Sequence, residues 1–285
     1  MTPTENVHYD IAIIGMGIRE VAHLTLEAIH VLKCCKRGYM VSPDQETVNK
    51  FRDSASTYLK LGESLPPLES LARVYQKDRL RTSNYDEASA IVLHAAENER
   101  PVAYLTPGNP VSFDSVAQAI LTGAKKRNLR STIIPGISSV DTVLVDLQQE
   151  LAPGLQIYEA SWFVGAEVRP DTRFFTLLIQ TSVFGTNYPI IGREPRSNAL
   201  SGLKEYLLQF CPQEHPIILV RSGSVWNEPP SIHTAPLCKL DSIPGAVQHG
   251  ASMLIPPVDQ PVLNWKFVEK MASRANLYSL YVDSQ

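Results

Sequence analysis

Two tyrosines and an arginine stand close together in a polar segment of the chain. Tyr75 lies six positions before Arg81, and Tyr85 lies four positions after it. An arginine beside a tyrosine can lower the pKa of the phenol or stabilise a developing oxyanion, and both effects help an enzyme that removes a proton. The spacing alone favours a plainer interpretation, in which the arginine is solvated and both tyrosines lie at the edge of the core.

Three short glycine-containing loops follow apolar runs that are typical of buried strands. They are Gly15-Met16-Gly17, Pro107-Gly108-Asn109-Pro110 and Pro135-Gly136-Ile137-Ser138-Ser139. The carboxyl ends of parallel strands form the usual ligand crevice of an α/β sheet, and glycine allows a ligand to approach the backbone. Each loop alone is an ordinary strand-to-helix turn. Together they predict one small-molecule pocket at a single sheet edge.

The first loop does not complete a dinucleotide fingerprint. The pattern needs a third glycine where Glu20 stands. A carboxylate there would repel a pyrophosphate at a helix N-terminus. A nicotinamide site is therefore not expected, and a different ligand at the same turn remains open.

Composition and charge exclude several classes of protein. The 285 residues carry 26 basic and 29 acidic side chains, a net charge of −3, which is too acidic for a general phosphate-backbone binder. Four cysteines without a C-x-x-C pair, and no H-E-x-x-H, make a metal site improbable. The polar N-terminus and the absence of a long apolar run indicate neither a signal peptide nor a membrane span. We expect a soluble, cytoplasmic protein.

The order of predicted elements indicates an α/β protein with two domains. Residues 1–150 repeat strand, turn and helix, and we expect the glycine loops and a long catalytic loop there. A helix is expected from Tyr85, with Asn84 as its N-cap. After Pro153-Gly154 the pattern changes, so residues 151–258 are predicted to form a second α/β domain, and residues 259–285 a terminal helix and tail.

The loops together resemble the tetrapyrrole methylase superfamily, whose members are S-adenosyl-L-methionine (SAM) enzymes with two α/β domains and the cofactor between them. Within it, the chain is most similar to the borosin peptide α-N-methyltransferases, which methylate backbone amides of a ribosomal peptide. The narrower similarity rests on His23 to Glu27, on the Tyr75, Arg81, Tyr85 spacing, on Pro135 to Leu147 with Asp141 and Asp146, and on Glu159-Ala160-Ser161, Arg169-Pro170 and Gln180.

The resemblance implies which residues act and which hold the cofactor. Tyr75, Arg81 and Tyr85 would be catalytic, with the tyrosines as base and orienting group in either order and Arg81 as charge stabiliser. No metal is implied. The implied SAM contacts are Gly15, Gly17, Pro107, Gly108, Asn109, Pro110, Ser138, Ser139, Gln180, Ala251 and Ser252.

Three departures from the borosin pattern bear on substrate and site. Asn109 replaces the aspartate or histidine of relatives, and a tyrosine that borosin enzymes place before the loop glycine falls on Pro107, with Tyr104 three residues away. Only 28 residues follow Pro257, without the Val/Ile/Gly-rich core of a fused substrate. The resemblance therefore implies a precursor peptide supplied as a separate chain, and a homodimer. A corrin or porphyrin precursor C-methyltransferase and a non-catalytic SAM-binding scaffold remain alternatives.

Overall fold

A parallel five-stranded sheet forms the first half of the chain. The computed structural model describes residues 8–58, 65–190, 193, 195–243 and 250–282. The strands are β1 (Ile11–Gly15), β2 (Arg37–Met40), β3 (Leu68–Ser70), β4 (Val102–Thr106) and β5 (Ser131–Ile134), in the order β3-β2-β4-β1-β5. Every pairing is parallel. The carboxyl ends of all five strands therefore meet at one edge.

Helices cover both faces of this sheet. They are α1 (Leu26–Cys34), α2 (Gln45–Tyr58), α3 (Arg81–Asn98) and α4 (Ser115–Lys126), and a further helix, α5 (Ser139–Asp146), follows β5. Successive residues of β1 point to opposite faces. Ala12 and Ile14 pack in the core with α1 and α2, whereas Ile11 and Ile13 pack in the core with α3 and α4. Burial on both faces explains why β1 reads as a continuous apolar run.

The second half builds a mixed five-stranded sheet. Its strands are β6 (Leu155–Glu159), β7 (Phe175–Ile179), β8 (Pro216–Arg221), β9 (Ser231–Pro236) and β10 (Ser252–Ile255), in the order β6-β7-β10-β8-β9. Only β6 and β7 run parallel. On one face the short helices α6 (Ala160–Gly165) and α7 (Ser201–Leu207) share a core with this sheet. The predicted α/β fold class is confirmed.

Helix α5 joins the two halves. Its Val143 is buried together with Leu177, Ile179, Val220 and Leu254 of the second sheet. The helix thus follows β5 of the first sheet and covers the second face of the other sheet. The edge that carries the glycine loops is consequently held against the second half of the chain.

Several predicted element boundaries are wrong. A 3-10 turn (Glu20–His23) lies between the first glycine loop and α1, which begins only after Thr25, whose side chain accepts a hydrogen bond from Ala28 N. Asn84 lies inside α3 rather than capping it. The sequence analysis also missed β2, β3 and β9, which are short strands with polar or glycine residues.

The terminal segment forms two short helices instead of one helix and a tail. These are α8 (Trp265–Met271) and α9 (Arg274–Leu280), and neither contains a buried residue. Asn264 and Ser273 precede them as N-caps. Among the described residues, the structure contains no helix of the length and apolar character that crossing a membrane requires.

Candidate active site

The three glycine loops touch one another through their backbones. A Cβ atom placed on Gly15 would lie 2.5 Å from the Gly136 nitrogen and 2.7 Å from the Gly108 oxygen. A Cβ atom on Gly136 would lie 2.3 Å from the same Gly108 oxygen. These approaches exclude any side chain at Gly15 and Gly136 without a backbone shift. The loops therefore form the single edge that the sequence predicted.

Two backbone hydrogen bonds join the first loop to the second. Gly17 N donates to Gly108 O over 3.1 Å, and Gly108 N donates to Gly17 O over 2.8 Å. Both residues have a positive φ, 75° and 73°, which favours glycine. Pro110 packs against Gly15, and Asn109 folds its Oδ1 back to accept a hydrogen bond from Val111 N at 3.1 Å. Pro107 is exposed at the start of this loop.

His23 stabilises the first loop from behind. Its Nδ1 accepts hydrogen bonds from Ile18 N at 3.2 Å and Arg19 N at 3.3 Å. Burial and the nearby Arg19 charge lower the pKa of His23. The neutral ring with Nδ1 as acceptor is therefore the form that the folded loop requires, which agrees with the structural role that its sequence pattern indicated.

Ser138 of the third loop caps the N-terminus of α5. The Ser138 hydroxyl and backbone N–H both donate to Asp141 Oδ2, at 2.9 and 2.8 Å, and Asp141 N donates back to the Ser138 hydroxyl. This capping box satisfies groups at the helix N-terminus. Ser138 is buried and Ser139 is half-buried as the first residue of α5.

The second sheet brings Gln180, Ala251 and Ser252 to the same region. Gln180 follows β7 in a left-handed conformation, with φ at 57°, and its Nε2 donates to Phe113 O at 3.3 Å. Phe113 continues the loop that begins at Pro107, so this contact connects the two halves. Ala251 directly precedes β10, and Ser252 is its first residue.

Thr181 is a site residue that sequence reasoning missed. It is fully buried, and its hydroxyl donates to Ala251 O at 2.8 Å. This bond fixes the start of β10 beside the end of β7. The signal in the sequence was a hydroxyl residue directly after Gln180, but its partner lies 70 positions away.

The structure places the rings of Tyr75 and Tyr85 in contact, and Arg81 lies one helical turn before Tyr85 on α3. Arg81 is the first residue of α3 and Tyr85 lies one turn later, so both project from one side of the helix. Tyr75 follows a 3-10 turn, and its ring meets the ring of Tyr85 edge-on at 6.3 Å between centroids. Asn84 Nδ2 donates to Gln76 O at 3.3 Å and ties the Tyr75 loop to α3. We call Tyr75, Arg81 and Tyr85 the tyrosine–arginine cluster.

The second half of the chain holds Arg81 in place. Arg81 Nη2 donates to Thr186 O at 2.6 Å, and Arg81 N donates to Asn187 O at 2.8 Å. Arg193 adds a second connection, because its Nη2 lies 2.7 Å from the Asp78 carboxylate in the Tyr75–Arg81 loop. Arg81 Nε is buried and has no hydrogen-bond partner in the described structure. One guanidinium donor is therefore left without a partner in the described structure.

The expected lowering of a tyrosine pKa by Arg81 is wrong for Tyr75. Burial raises the pKa of Tyr75 above 10, and Tyr85 and the Asp114 carboxylate raise it further. A phenol in this environment keeps its proton at neutral pH and acts as a hydrogen-bond donor.

Tyr104 does not reach the site where relatives place a further tyrosine. It is fully buried on β4, and its hydroxyl lies 3.1 and 3.4 Å from the two carboxylate oxygens of Asp114. A side chain with no exposed surface cannot touch a peptide. Tyr104 thus lies behind the cluster and leaves the position at Pro107 without a tyrosine.

Asp146 connects the first loop to the second sheet. Ser222, at the end of β8, donates from its hydroxyl to Asp146 Oδ2 at 2.6 Å. Arg19, in the first loop, lies 3.7 Å from the other carboxylate oxygen. The carboxylate is largely buried, which strengthens both contacts.

The chain matches one family model and is similar to known proteins over most of its length. The model described as Tetrapyrrole (Corrin/Porphyrin) Methylases matches residues 10–231. A methyltransferase/ribosomally synthesized type II borosin cyclic peptide precursor of Phlebiopsis gigantea is 28% identical over 62% of this chain and 30% of the relative. A type I borosin precursor of Serendipita vermifera is 23% identical over 92% of this chain and 62% of the relative. The chain thus spans less than two thirds of either relative.

A solved structure shows the same fold. Uroporphyrin-III-C-methyltransferase from Thermus thermophilus superposes with a TM-score of 0.57 and 18% identity, covering 87% of this chain and 92% of that one. Identity at this level supports the shared fold alone.

Proposed function

The chain belongs to the tetrapyrrole methylase family, and on that premise we propose that it is a SAM-dependent methyltransferase that α-N-methylates backbone amides of a separate, ribosomally made peptide. Members of this family use SAM as methyl donor. The loops of Gly15, Gly17 and Gly108, together with Gln180 and the start of β10, are the proposed cofactor site. The backbones of the glycine loops pack closely against one another there, which fixes the edge of the proposed site.

The observation that carries the proposal is the assembled tyrosine–arginine cluster. Its spacing resembles that of the borosin enzymes, and the structure places Arg81 and Tyr85 one helical turn apart with the Tyr75 ring against Tyr85. Tyr75 and Tyr85 pack against the core that contains Val116 and Ala117 of α4. This helix follows the loop whose Phe113 O accepts a hydrogen bond from Gln180, a residue of the proposed cofactor site.

The chemistry of an amide explains why these groups suit the reaction. The amide nitrogen is a poor nucleophile because its lone pair is delocalised into the carbonyl group. Methylation needs loss of the N–H proton and stabilisation of the resulting imidate oxygen. SAM supplies a methyl group on a sulfonium, which is an excellent leaving group, so deprotonation and orientation are the tasks left to the protein.

Each residue of the cluster takes one of these tasks. The guanidinium of Arg81, held by Thr186 O at one nitrogen, is assigned to stabilise the charge on the imidate oxygen. Tyr75, kept protonated by burial, donates a second hydrogen bond to the same oxygen. Tyr85, the other tyrosine of the cluster, is assigned to take the N–H proton, which passes to solvent after the methyl group has been transferred.

The ion pairs near the first glycine loop and the tyrosine–arginine cluster favour a neutral peptide over a polyanionic substrate. A porphyrin or corrin precursor carries several carboxylates and calls for unpaired basic side chains. In the described part of the chain, Arg19 faces Asp146, Arg193 faces Asp78 and Arg79 pairs with Glu87. The tetrapyrrole C-methyltransferase remains the second candidate because the fold neighbour has that activity by name.

Residues 259–285 differ in composition from the peptide that we propose as the substrate. Residues 259–285 contain no glycine and no isoleucine, whereas a borosin substrate core is expected to be rich in both. The described part of this segment forms α8 and α9. We also propose a homodimer, which light scattering after size exclusion would measure.

Methyl transfer from radiolabelled SAM separates the candidate functions. We expect label on a synthetic peptide with a Val/Ile/Gly-rich core, with mass gains of one methylene each on backbone nitrogens. Label on a tetrapyrrole precursor instead would establish the C-methyltransferase. Binding of SAM without transfer to either would favour a scaffold, and label on the protein's own terminal segment would overturn the separate-peptide proposal.

A further inference from the structure

A fully buried asparagine holds the loop that carries Tyr75. Asn84 lies in the first turn of α3, and none of its surface is exposed. Its side-chain Nδ2 donates to Gln76 O at 3.3 Å, and Gln76 directly follows Tyr75 in the chain. The amide therefore joins the helix that carries Tyr85 to the backbone beside the other tyrosine.

The residues on both sides of Tyr75 are anchored. Val74, which precedes it, is buried in the core that α3 and α4 share with the first sheet. Gln76, which follows it, is exposed, and its carbonyl accepts hydrogen bonds from Asn84 and from Arg79 N, the latter at 3.4 Å. The bond from Arg79 stays within the loop, whereas the bond from Asn84 connects the loop to α3. This amide thus helps to set the distance between the Tyr75 backbone and the helix.

The second polar atom of the same amide points to a role beyond stability. Asn84 Oδ1 is buried and has no hydrogen-bond partner among the residues that the structure describes. A buried acceptor without a partner costs free energy, and an apolar side chain of similar size would avoid that cost. Asparagine is also a weak helix former, because its side chain competes for backbone hydrogen bonds. Stability alone therefore does not account for an asparagine at this position.

We propose that Asn84 is a positioning residue that sets the Tyr75 ring against the ring of Tyr85. The inference rests on the proposed function for its catalytic meaning, because the two phenols act there as hydrogen-bond donor and proton acceptor. Their rings meet edge-on, with 6.3 Å between centroids. Asn84 directly precedes Tyr85 on α3, so one helical turn carries both a ring of the cluster and the amide that places the other ring.

An ion pair joins the same loop to α3 at a second point. Arg79 pairs with Glu87, and both side chains are partly exposed. Pairs of this kind contribute little to stability, because water screens the charges and two long side chains lose conformational freedom. The donor of Asn84 is instead fully buried, and leaving it unpaired would cost more than losing a surface ion pair. We therefore assign the positioning to Asn84 and not to the ion pair.

The test follows the surroundings of the Tyr75 ring directly. Fluorotyrosine replaces Tyr75 alone, and fluorine NMR of the full chain is recorded without SAM or peptide. The resonance depends on the ring current of the neighbouring aromatic ring, and Tyr85→Leu defines its position when that ring is absent. The same reporter is combined with Asn84→Leu, which fills the site of the amide, and with Asn84→Ala, which leaves a void there.

We expect both Asn84 variants to move the resonance from its parental position towards that of Tyr85→Leu. A shift shared by both follows from the lost donor, because the two substitutions change the packed volume differently. Asn98→Leu is the matched control, since Asn98 Nδ2 also donates to a backbone carbonyl, His94 O at 2.8 Å, but at the exposed end of α3. It should leave the resonance unchanged. A parental resonance in either Asn84 variant that keeps native circular dichroism would overturn the proposal.

This readout separates the inference from the proposed function. If the protein proves not to methylate peptides, the resonance still decides whether Asn84 places the Tyr75 ring. If it does methylate them, Asn84→Leu should lower the single-turnover rate by about 10²-fold, as expected when a reacting group is misplaced, while SAM affinity by calorimetry stays near the parental value. A purely structural amide would change the free energy of unfolding and leave both the resonance and the rate of the folded protein unchanged.

Discussion

The guanidinium of Arg81 donates a 2.6 Å hydrogen bond to the backbone carbonyl of Thr186, a residue 105 positions further along the chain. The bond joins α3, in the half of the chain that forms the parallel sheet, to a loop in the half that forms the mixed sheet. It orients the guanidinium and leaves Nε buried without a partner in the described structure. The charge in the proposed site is therefore positioned by the part of the chain that also supplies Gln180.

Replacement of Arg81 should slow methylation strongly. Arg81→Ala removes the donors to the imidate oxygen, and we expect a loss of about 10²-fold or more in single-turnover rate. Arg81→Lys should recover only part of it, since an ammonium lacks the planar fork that reaches Thr186 and the substrate together. SAM affinity by calorimetry should stay near the parent value. Arg79→Ala, which removes a neighbouring arginine paired with Glu87, is the control.

The three tyrosines should differ in effect. Tyr75→Phe and Tyr85→Phe keep the rings, and each should cost about 10²–10⁴ in rate through the lost donor or base. Tyr104→Phe removes a buried hydrogen bond to Asp114, so the free energy of unfolding should fall by about 1.5–3 kcal/mol. The methylation rate of Tyr104→Phe should fall by less than about tenfold, which is well below the loss expected for Tyr75→Phe and Tyr85→Phe. Near-parental rates in both Tyr75→Phe and Tyr85→Phe would make these tyrosines structural.

Glycine substitutions should separate the cofactor site from the general fold. Gly15→Ala or Gly136→Ala places a methyl group within 2.5 Å of backbone, and the overlap should destabilise the protein by about 1–3 kcal/mol. SAM binding, expected near micromolar or about −8 kcal/mol in the parent, should weaken by at least about tenfold. Gly165→Ala on α6 meets no atom within 4 Å and should preserve both properties. Equal SAM affinity in all three variants would place the cofactor elsewhere.

The contribution of His23 to the stability of the first loop should decrease as the pH falls below 6.5. The unfolded His23 has an ordinary pKa of 6.5, and folding lowers it through burial and Arg19. The unfolded chain therefore binds the proton more readily, so this contribution to stability is present above pH 6.5 and is lost as the pH falls through the lowered folded value. SAM affinity should fall with it, because protonation of Nδ1 removes the acceptor for Ile18 N and Arg19 N.

His23→Asn tests that explanation. An asparagine oxygen can take the place of Nδ1 as acceptor but does not titrate, so the pH dependence of SAM affinity should flatten. His94→Asn on the exposed surface of α3 is the control and should keep the parental dependence. Parental dependence in His23→Asn would assign the effect to another group.

The local sequence was sufficient to predict where the glycine loops lie and which class of fold the chain adopts. Apolar runs such as Ile11 to Ile14 followed by glycine predict buried parallel strands ending at turns, because burial on both faces and positive φ each demand particular residue types. The resemblance to the borosin enzymes likewise pointed to Tyr75, Arg81 and Tyr85, and the structure places the Tyr75 ring against that of Tyr85, one helical turn after Arg81. These features depend on neighbours within a few positions.

The start of α3 could not be predicted in this way. Asn84 reads as an N-cap, yet the helix begins at Arg81, after Leu80, which makes no side-chain cap. The backbone N–H of Arg81 is instead satisfied by Asn187 O. A helix end that is capped by a carbonyl from a distant segment carries no local signature.

The protonation of the cluster was also decided by tertiary structure. Side-chain types suggested that an arginine would lower the pKa of a nearby tyrosine. In the folded chain Arg81 directs its Nη2 to Thr186 O, while Tyr75 is buried beside Tyr85 and Asp114, and its pKa rises. The sequence determines which ionisable groups are close along the chain. Only the packed structure determines how much water and which charges surround each of them, and these set where the proton resides.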